Sequence, residues 1–250
     1  MGVITYDEAK ETIGTLPSLA PRPNAVNLRA LTQCLEQRLE TIPAQQSPEN
    51  GYVGMVMPDE IYALRSNTPW TDWENPGPHP AEAATSVEAT NLKTLYDSNK
   101  AVYDSDQNVK RAVNDALNIA IPKEFRKPVG NQIGTKVFTV RDDPKQILAN
   151  LRTKYGAATP ADKANNEKMF NQPWNPNEPI EALFDRLEEC YVVSIMSKPA
   201  FTMEQLIDKA IVAIQRTGLY ETALLEWNGF APEHKTWPEL KSHFEEAYEL

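Results

Sequence analysis

The chain has 250 residues, 41% of them apolar, and 35 acidic against 25 basic side chains give it a net charge of −10. This composition excludes disordered and fibrous classes, and no apolar run approaches the roughly 20 residues that a bilayer-spanning helix needs. The length allows two domains of ordinary size.

Asn24 is placed to cap a first helix carrying Leu28, Leu31, Leu35 and Leu39 at three- and four-residue spacing and ending before Pro43. The run 51–57 reads as a short strand, with Ile61 to Leu64 as its pairing partner. Between 58 and 80, Pro69, Pro76, Pro78 and Pro80 forbid regular structure and predict a loop. Trp70 and Trp73 within it are expected to anchor that loop rather than to form an exposed platform. Ser86 then caps a pattern of Val87, Leu92, Leu95 and Tyr96, and a second pattern runs through Val102, Val109, Val113, Leu117 and Ile121 to Pro122. Both predict helices, joined or bent near Asp104 and Ser105. The segment 135–140 alternates as a strand or hairpin arm does. Asp142 or Asp143 caps the next helix, with Pro144 in its first turn, Ile147, Leu148, Leu151 and Tyr155 along its apolar stripe, and Gly156 at its end.

A weak helical pattern over 160–170 leads into a polar, proline-rich joint at 171–177, which predicts the boundary between an N-terminal lobe, 1–170, and a C-terminal lobe, 171–250. Four helices follow. The first opens at Glu178-Pro179 and carries Leu183, Phe184, Leu187, Tyr191 and Ile195. The second starts at a Thr202/Gln205 capping box and carries Leu206, Ile207, Ala210, Ile211 and Ile214. A short one spans 219–227, and the last starts at a Thr236/Glu239 box, with Leu240, Phe244 and Tyr248 on one face. The expected architecture is mainly α and two-lobed, with a minor β-hairpin or short strands in the N-terminal lobe.

The sequence is poor in chemistry. His79, His234 and His243 have no metal-ligand spacing, no zinc-knuckle or CxxC pattern occurs, and phosphate-cradling and nucleophile-elbow strings are absent. The acidic pairs Glu188-Glu189 and Glu245-Glu246 diverge by about 100° on a helix and do not converge as an acid and base would. No enzyme, metal or cofactor is expected. The first residues lack a signal peptide's basic and apolar regions, and Tyr6 stands where a myristoylation motif at Gly2 wants Ser or Thr. Cys34 and Cys190, far apart within apolar patterns, read as reduced thiols, which predicts a cytoplasmic protein with no membrane partner. Between 171 and 250 there are 14 acidic and six basic side chains, so this third holds eight of the ten net negative charges and repels nucleic acid. The one basic cluster, Lys123, Arg126 and Lys127, reads as a solvated loop.

One motif is specific. In 176–187, Pro176, Glu178 and Pro179 form a Pro-x-Glu-Pro turn ahead of a helix that carries Phe184, Asp185 and Arg186, with eight residues from Glu178 to Arg186. Eight residues are about 12 Å along a helix, too far for the two to bond. Glu178 is instead placed to accept first-turn amides, and Arg186 to reach carbonyls of the turn or of a neighbouring helix. This motif resembles the major homology region that opens the C-terminal capsid domain of retroviral and retrotransposon Gag proteins. Leu151 and Tyr155 also look like the Leu-x3-Tyr helix of copia-type Gag polypeptides. The chain departs from the retroviral pattern at Trp174-Asn175, where that motif has Gln-Gly, and it contains no CCHC knuckle.

The resemblance implies a structural capsid protein that self-assembles into a virus-like particle enclosing retroelement RNA, with pentamer and hexamer lattices joined by C-terminal-lobe dimers. RNA is expected to bind this chain only weakly. In the family the second helix of that lobe carries the dimer contact, which nominates Met203, Ile207 and Ile211, a second apolar line beside Leu206, Ala210 and Ile214. A surface helix needs only one apolar stripe; the alternative is that both lines belong to the core. The competing function is a non-catalytic helical adaptor or a domesticated Gag-derived interaction module.

Overall fold

The computed structural model describes residues 3–79, 86–130, 137–197 and 200–248, with the side chains of 86, 87, 196 and 197 outside that description. Its helices in chain order are α1 (Tyr6–Ile13), α2 (Ala25–Glu40), α3 (Asp59–Tyr62), α4 (Ser86–Ala120), α5 (Lys123–Arg126), α6 (Pro144–Tyr155), α7 (Pro160–Asn171), α8 (Ile180–Ser197), α9 (Met203–Gln215), α10 (Glu221–Gly229) and α11 (Trp237–Tyr248). No strand occurs among the described residues, and no helix there is long and apolar enough to cross a membrane. The chain divides into a first unit, 1–58 with 70–155, and a second, 59–69 with 156–250.

In the first unit the two patterns between 86 and 121 are one uninterrupted helix of 35 residues. Its polar middle is used rather than bent. Ser105 Oγ accepts from the Ile4 amide at 3.0 Å, and Asn108 Nδ2 donates to the Ile4 carbonyl at 2.9 Å, so the chain entering α1 is tied across α4. Helix α1 escaped the sequence analysis although it carries a complete Thr5/Glu8 capping box and buries Ala9 and Ile13. Asn24 caps α2 as expected, accepting from the Val26 and Asn27 amides.

The expected strand at 51–57 is a tight turn around a single 3-10 turn, Val53–Met55, and the physical reason is Gly51. It adopts φ +54°, and a Cβ there would lie 2.5–2.7 Å from the carbonyl oxygens of Leu39, Glu40 and Ile42. The chain therefore folds back on the end of α2, where the Tyr52 amide donates to Leu39 O at 3.0 Å. Gly51→Ala is expected to cost the first unit at least about 3 kcal/mol, combining left-handed strain with backbone overlap. A urea-unfolding midpoint for that unit equal to wild type would contradict this geometry.

Trp70 and Trp73 are half-buried anchors. Trp70 covers Gly54, where a Cβ would come within 2.5 Å of it, and its ring lies 5.7 Å from that of Tyr52. The Trp73 amide donates to Asp106 Oδ2 at 3.0 Å, and Lys110 pairs with Asp72 at 3.6 Å. Burial raises the Asp106 carboxyl above its ordinary value despite those donors.

Of the expected strand 135–140, residues 135 and 136 lie outside the described residues. The remainder is a loop held by two asparagines of α4. Asn118 accepts from the Phe138 amide and donates to the Phe138 carbonyl, both at 2.8 Å, and Asn114 donates to Thr139 O at 2.7 Å. A side-chain amide thus takes both bonds a strand partner would make, which leaves Phe138 buried and Val137 exposed without a sheet.

The second unit begins before the joint at 171–177, because α7 belongs to it. Asn166 Nδ2 donates to Cys190 O at 2.9 Å, and Phe170 stacks on Phe201 with ring centroids 4.1 Å apart. Nor do residues 61–64 pair with 51–57. They form the end of α3 and its following turn, and Leu64 is buried in the second unit's core. That core gathers Leu183, Phe184, Leu187, Leu206, Ile214, Trp227, Trp237 and Phe244 from four helices. The Thr202/Gln205 capping box is complete. At Thr236 only half of one forms, since Glu239 Oε1 turns to His234 Nδ1 at 3.3 Å. Tyr248, expected on the apolar face of α11, is exposed.

Candidate functional site

The turn from α7 into α8 is built inside the second unit from backbone groups that neither helix can satisfy. The last carbonyls of a helix lack intrahelical donors, and Pro173, with no N–H, prevents the chain from supplying one locally. Arg186, two turns into α8, fills that need. Its guanidinium donates to Gln172 O at 2.9 Å and to Pro173 O at 3.3 Å. A planar fork can hold two adjacent carbonyls where an ammonium would reach one.

Asn175 organises the other half of the turn. Its side-chain oxygen accepts from the Asn177 amide at 3.2 Å, and its carbonyl accepts from the Glu178 amide at 2.9 Å. The position at which the chain departs from Gln-Gly is therefore the one that closes the turn, through an Asx bond of the kind Asn makes in turns. In sequence Asn175 stands out only as part of the departure from the retroviral pattern, although an Asn between Trp174 and Pro176 is also a turn signal.

The motif residues separate into distinct roles. Phe184 is fully buried, with its ring 5.7 Å from and nearly perpendicular to Trp237, and Ile180, Leu183 and Leu187 are buried beside it. Pro176, Glu178, Pro179 and Asp185 are exposed. Glu178 does not act as a first-turn acceptor: α8 begins two residues later at Ile180, and Asn175 has already engaged the turn's amides. The carboxylates of Glu178 and Asp185 make no hydrogen bond or ion pair among the described residues. Trp174 is 6% exposed and lies 6.1 Å from the Tyr220 ring, and its indole Nε1 has no hydrogen-bond partner.

On α9, Leu206, Ala210, Ala213 and Ile214 face the core. Met203, Ile207 and Ile211 are half-buried along its margin, neither fully enclosed nor free. Next to them Val212 is 39% exposed.

Elsewhere the basic cluster is divided. Arg126 is buried with Nε donating to Ile121 O at 2.7 Å and a terminal nitrogen to Asn118 O, so it closes the end of α4. Lys123 and Lys127 alone remain exposed. Burial pushes the Cys190 thiol up to about 11, which keeps it protonated at neutral pH. No group of three or more metal-ligating side chains occurs among the described residues. Arg186 and Asn175 together tie the end of α7 and the turn after it to α8. Comparison of the chain with protein-family models, with curated proteins and with solved structures gives no match.

Proposed function

We propose that this chain is a self-assembling structural protein of the Gag capsid type, from an LTR retroelement or a host protein derived from one, forming a cytoplasmic shell. The observation that carries this reading is the Arg186 fork on the carbonyls of Gln172 and Pro173. It gives Arg186 a reason to stand two turns into the helix that follows the Pro-x-Glu-Pro turn, because from there it reaches back past Glu178 to the end of the preceding helix. The helical character of both units and the exposed acids at Glu178 and Asp185 are compatible with it.

In this reading the second units pair through Met203, Ile207 and Ile211 about a two-fold axis, each helix contacting its own copy. Ile207→Asp is expected to leave the melting curve nearly unchanged and to lower the mass in solution from dimer to monomer. Light scattering measured beside the melt checks this, and an unfolded variant places Ile207 in the core and removes the interface. The second reading, a helical adaptor without catalysis, draws on the packing of these three side chains against their own core.

RNA is held weakly through these residues in the proposed shell, since the net charge is −10 and Arg126 is committed to the fold. Filter binding at moderate salt is expected to give a dissociation constant well above micromolar. Submicromolar affinity would contradict it.

A further inference from the structure

The geometry points to a carboxylate-binding recess on the second unit, between the α7–α8 turn and α9, that receives one oxygen of the ligand beside the Trp174 indole. Its lining includes Asn171, Trp174, Lys209, Val212, Ala213 and Arg216, and its volume is about 30 Å³. That space fits a single water or a single oxygen atom, so the rest of a ligand stays at the rim.

Trp174, Lys209 and Arg216, each with a side-chain donor, line this space, and no acid does. The Trp174 N–H is buried in a side chain 94% removed from solvent and has no acceptor. Buried donors in folded proteins are almost always paired, so an acceptor that enters this recess completes the site. Lys209 Nζ donates to Asn171 Oδ1 at 2.6 Å and lies 5.8 Å from the centre of the Phe170 ring, which holds the ammonium in place with only one of its three protons in a hydrogen bond. Arg216, the C-cap of α9 and seven residues after Lys209, makes no side-chain hydrogen bond or ion pair among the described residues. Seven residues are about 10.5 Å along a helix, so Lys209 and Arg216 stand on either side of Val212 and Ala213 at the recess.

A neutral water would satisfy the indole but leave the positive charges of Lys209 and Arg216 without a counter-charge, since Lys209 meets only the neutral Asn171 amide and the Phe170 ring. An oxyanion answers all three. Lys209 and Arg216 are two of only six basic residues between 171 and 250, where 14 acids create a field that penalises a dianion more than a monoanion. A carboxylate stays a monoanion at neutral pH, where phosphate groups are largely dianionic, so the ligand class is a carboxylate. This inference does not depend on the capsid reading.

The test follows the indole N–H resonances of the full chain by proton–nitrogen correlation during titration with sodium acetate, with inorganic phosphate, and with sodium chloride at matched ionic strength. Trp174→Phe assigns the resonance. Acetate is expected to move the Trp174 signal saturably, chloride not at all, and phosphate with weaker affinity. Arg216→Gln, at an exposed residue on which the fold makes no demand, is expected to weaken acetate binding by about tenfold, the scale of one charged hydrogen bond. A signal that ignores acetate, that responds equally to chloride, or that titrates unchanged in Arg216→Gln overturns the site. Phosphate binding tighter than acetate overturns the carboxylate assignment.

Discussion

Trp237→Ala is expected to destabilise the second unit by about 3 to 5 kcal/mol, the range for removing a large aromatic side chain from a core. Trp237 is 1% exposed at the start of α11, with its ring set edge-on to Phe184 of the motif helix. Its indole N–H also donates to Glu188 Oε1 at 2.8 Å, an oxygen that takes Lys241 Nζ at 2.9 Å as well. Alanine would remove the partner of Phe184, open a cavity between α8 and α11 and take one donor from Glu188. Since a domain of this size is stable by only about 5 to 15 kcal/mol, much of the second unit's stability would go. Trp237→Phe keeps most of the packing and loses the polar bond, so its cost should be about 1 to 2 kcal/mol. Urea unfolding of both variants measures the difference. Equal midpoints for Trp237→Ala and wild type would mean that α11 does not close this core.

Arg186→Ala is expected to destabilise the second unit by about 2 kcal/mol. Each hydrogen bond from a charged donor contributes about 1.5 to 3 kcal/mol, and the partial exposure of Arg186 reduces the sum of its two. Its loss would leave the carbonyls of Gln172 and Pro173 to solvent and free the turn from α8. In a domain of about 100 residues, 2 kcal/mol corresponds to roughly 10 °C in melting temperature. Arg186→Lys should recover less than half, because one ammonium cannot span both carbonyls. Arg216→Ala, where no intramolecular bond is lost, should lie within about 0.5 kcal/mol of wild type. Equal melting temperatures for the Ala variants of Arg186 and Arg216 would reduce Arg186 to a surface charge and remove the main support for the motif.

The elements that were legible in sequence are those whose signals are local. Leu28, Leu31, Leu35 and Leu39 repeat at helical spacing and are buried on α2, and the Thr202 box starts α9 where its spacing requires. What escaped depends on contacts distant in sequence. Residues 51–57 are apolar enough for a strand, yet Gly51 meets three carbonyls at the end of α2 and turns the chain instead. Phe138 alternates with its neighbours as in a strand, yet its hydrogen bonds go to Asn118, 20 residues earlier. The joint at 171–177 looks like a linker by its prolines, but Arg186 and Asn175 make it a rigid turn inside one unit. At the motif, the spacing correctly suggested that Arg186 reaches turn carbonyls. It misled at Glu178, because the first residue of α8 was taken to be two positions too early.

The central claim is self-assembly, and electron microscopy of the purified chain tests it most directly. At raised concentration and salt, which screens the repulsion among chains of net charge −10, the account predicts closed shells or sheets of hexamers and pentamers. A monodisperse monomer under the same conditions would contradict it.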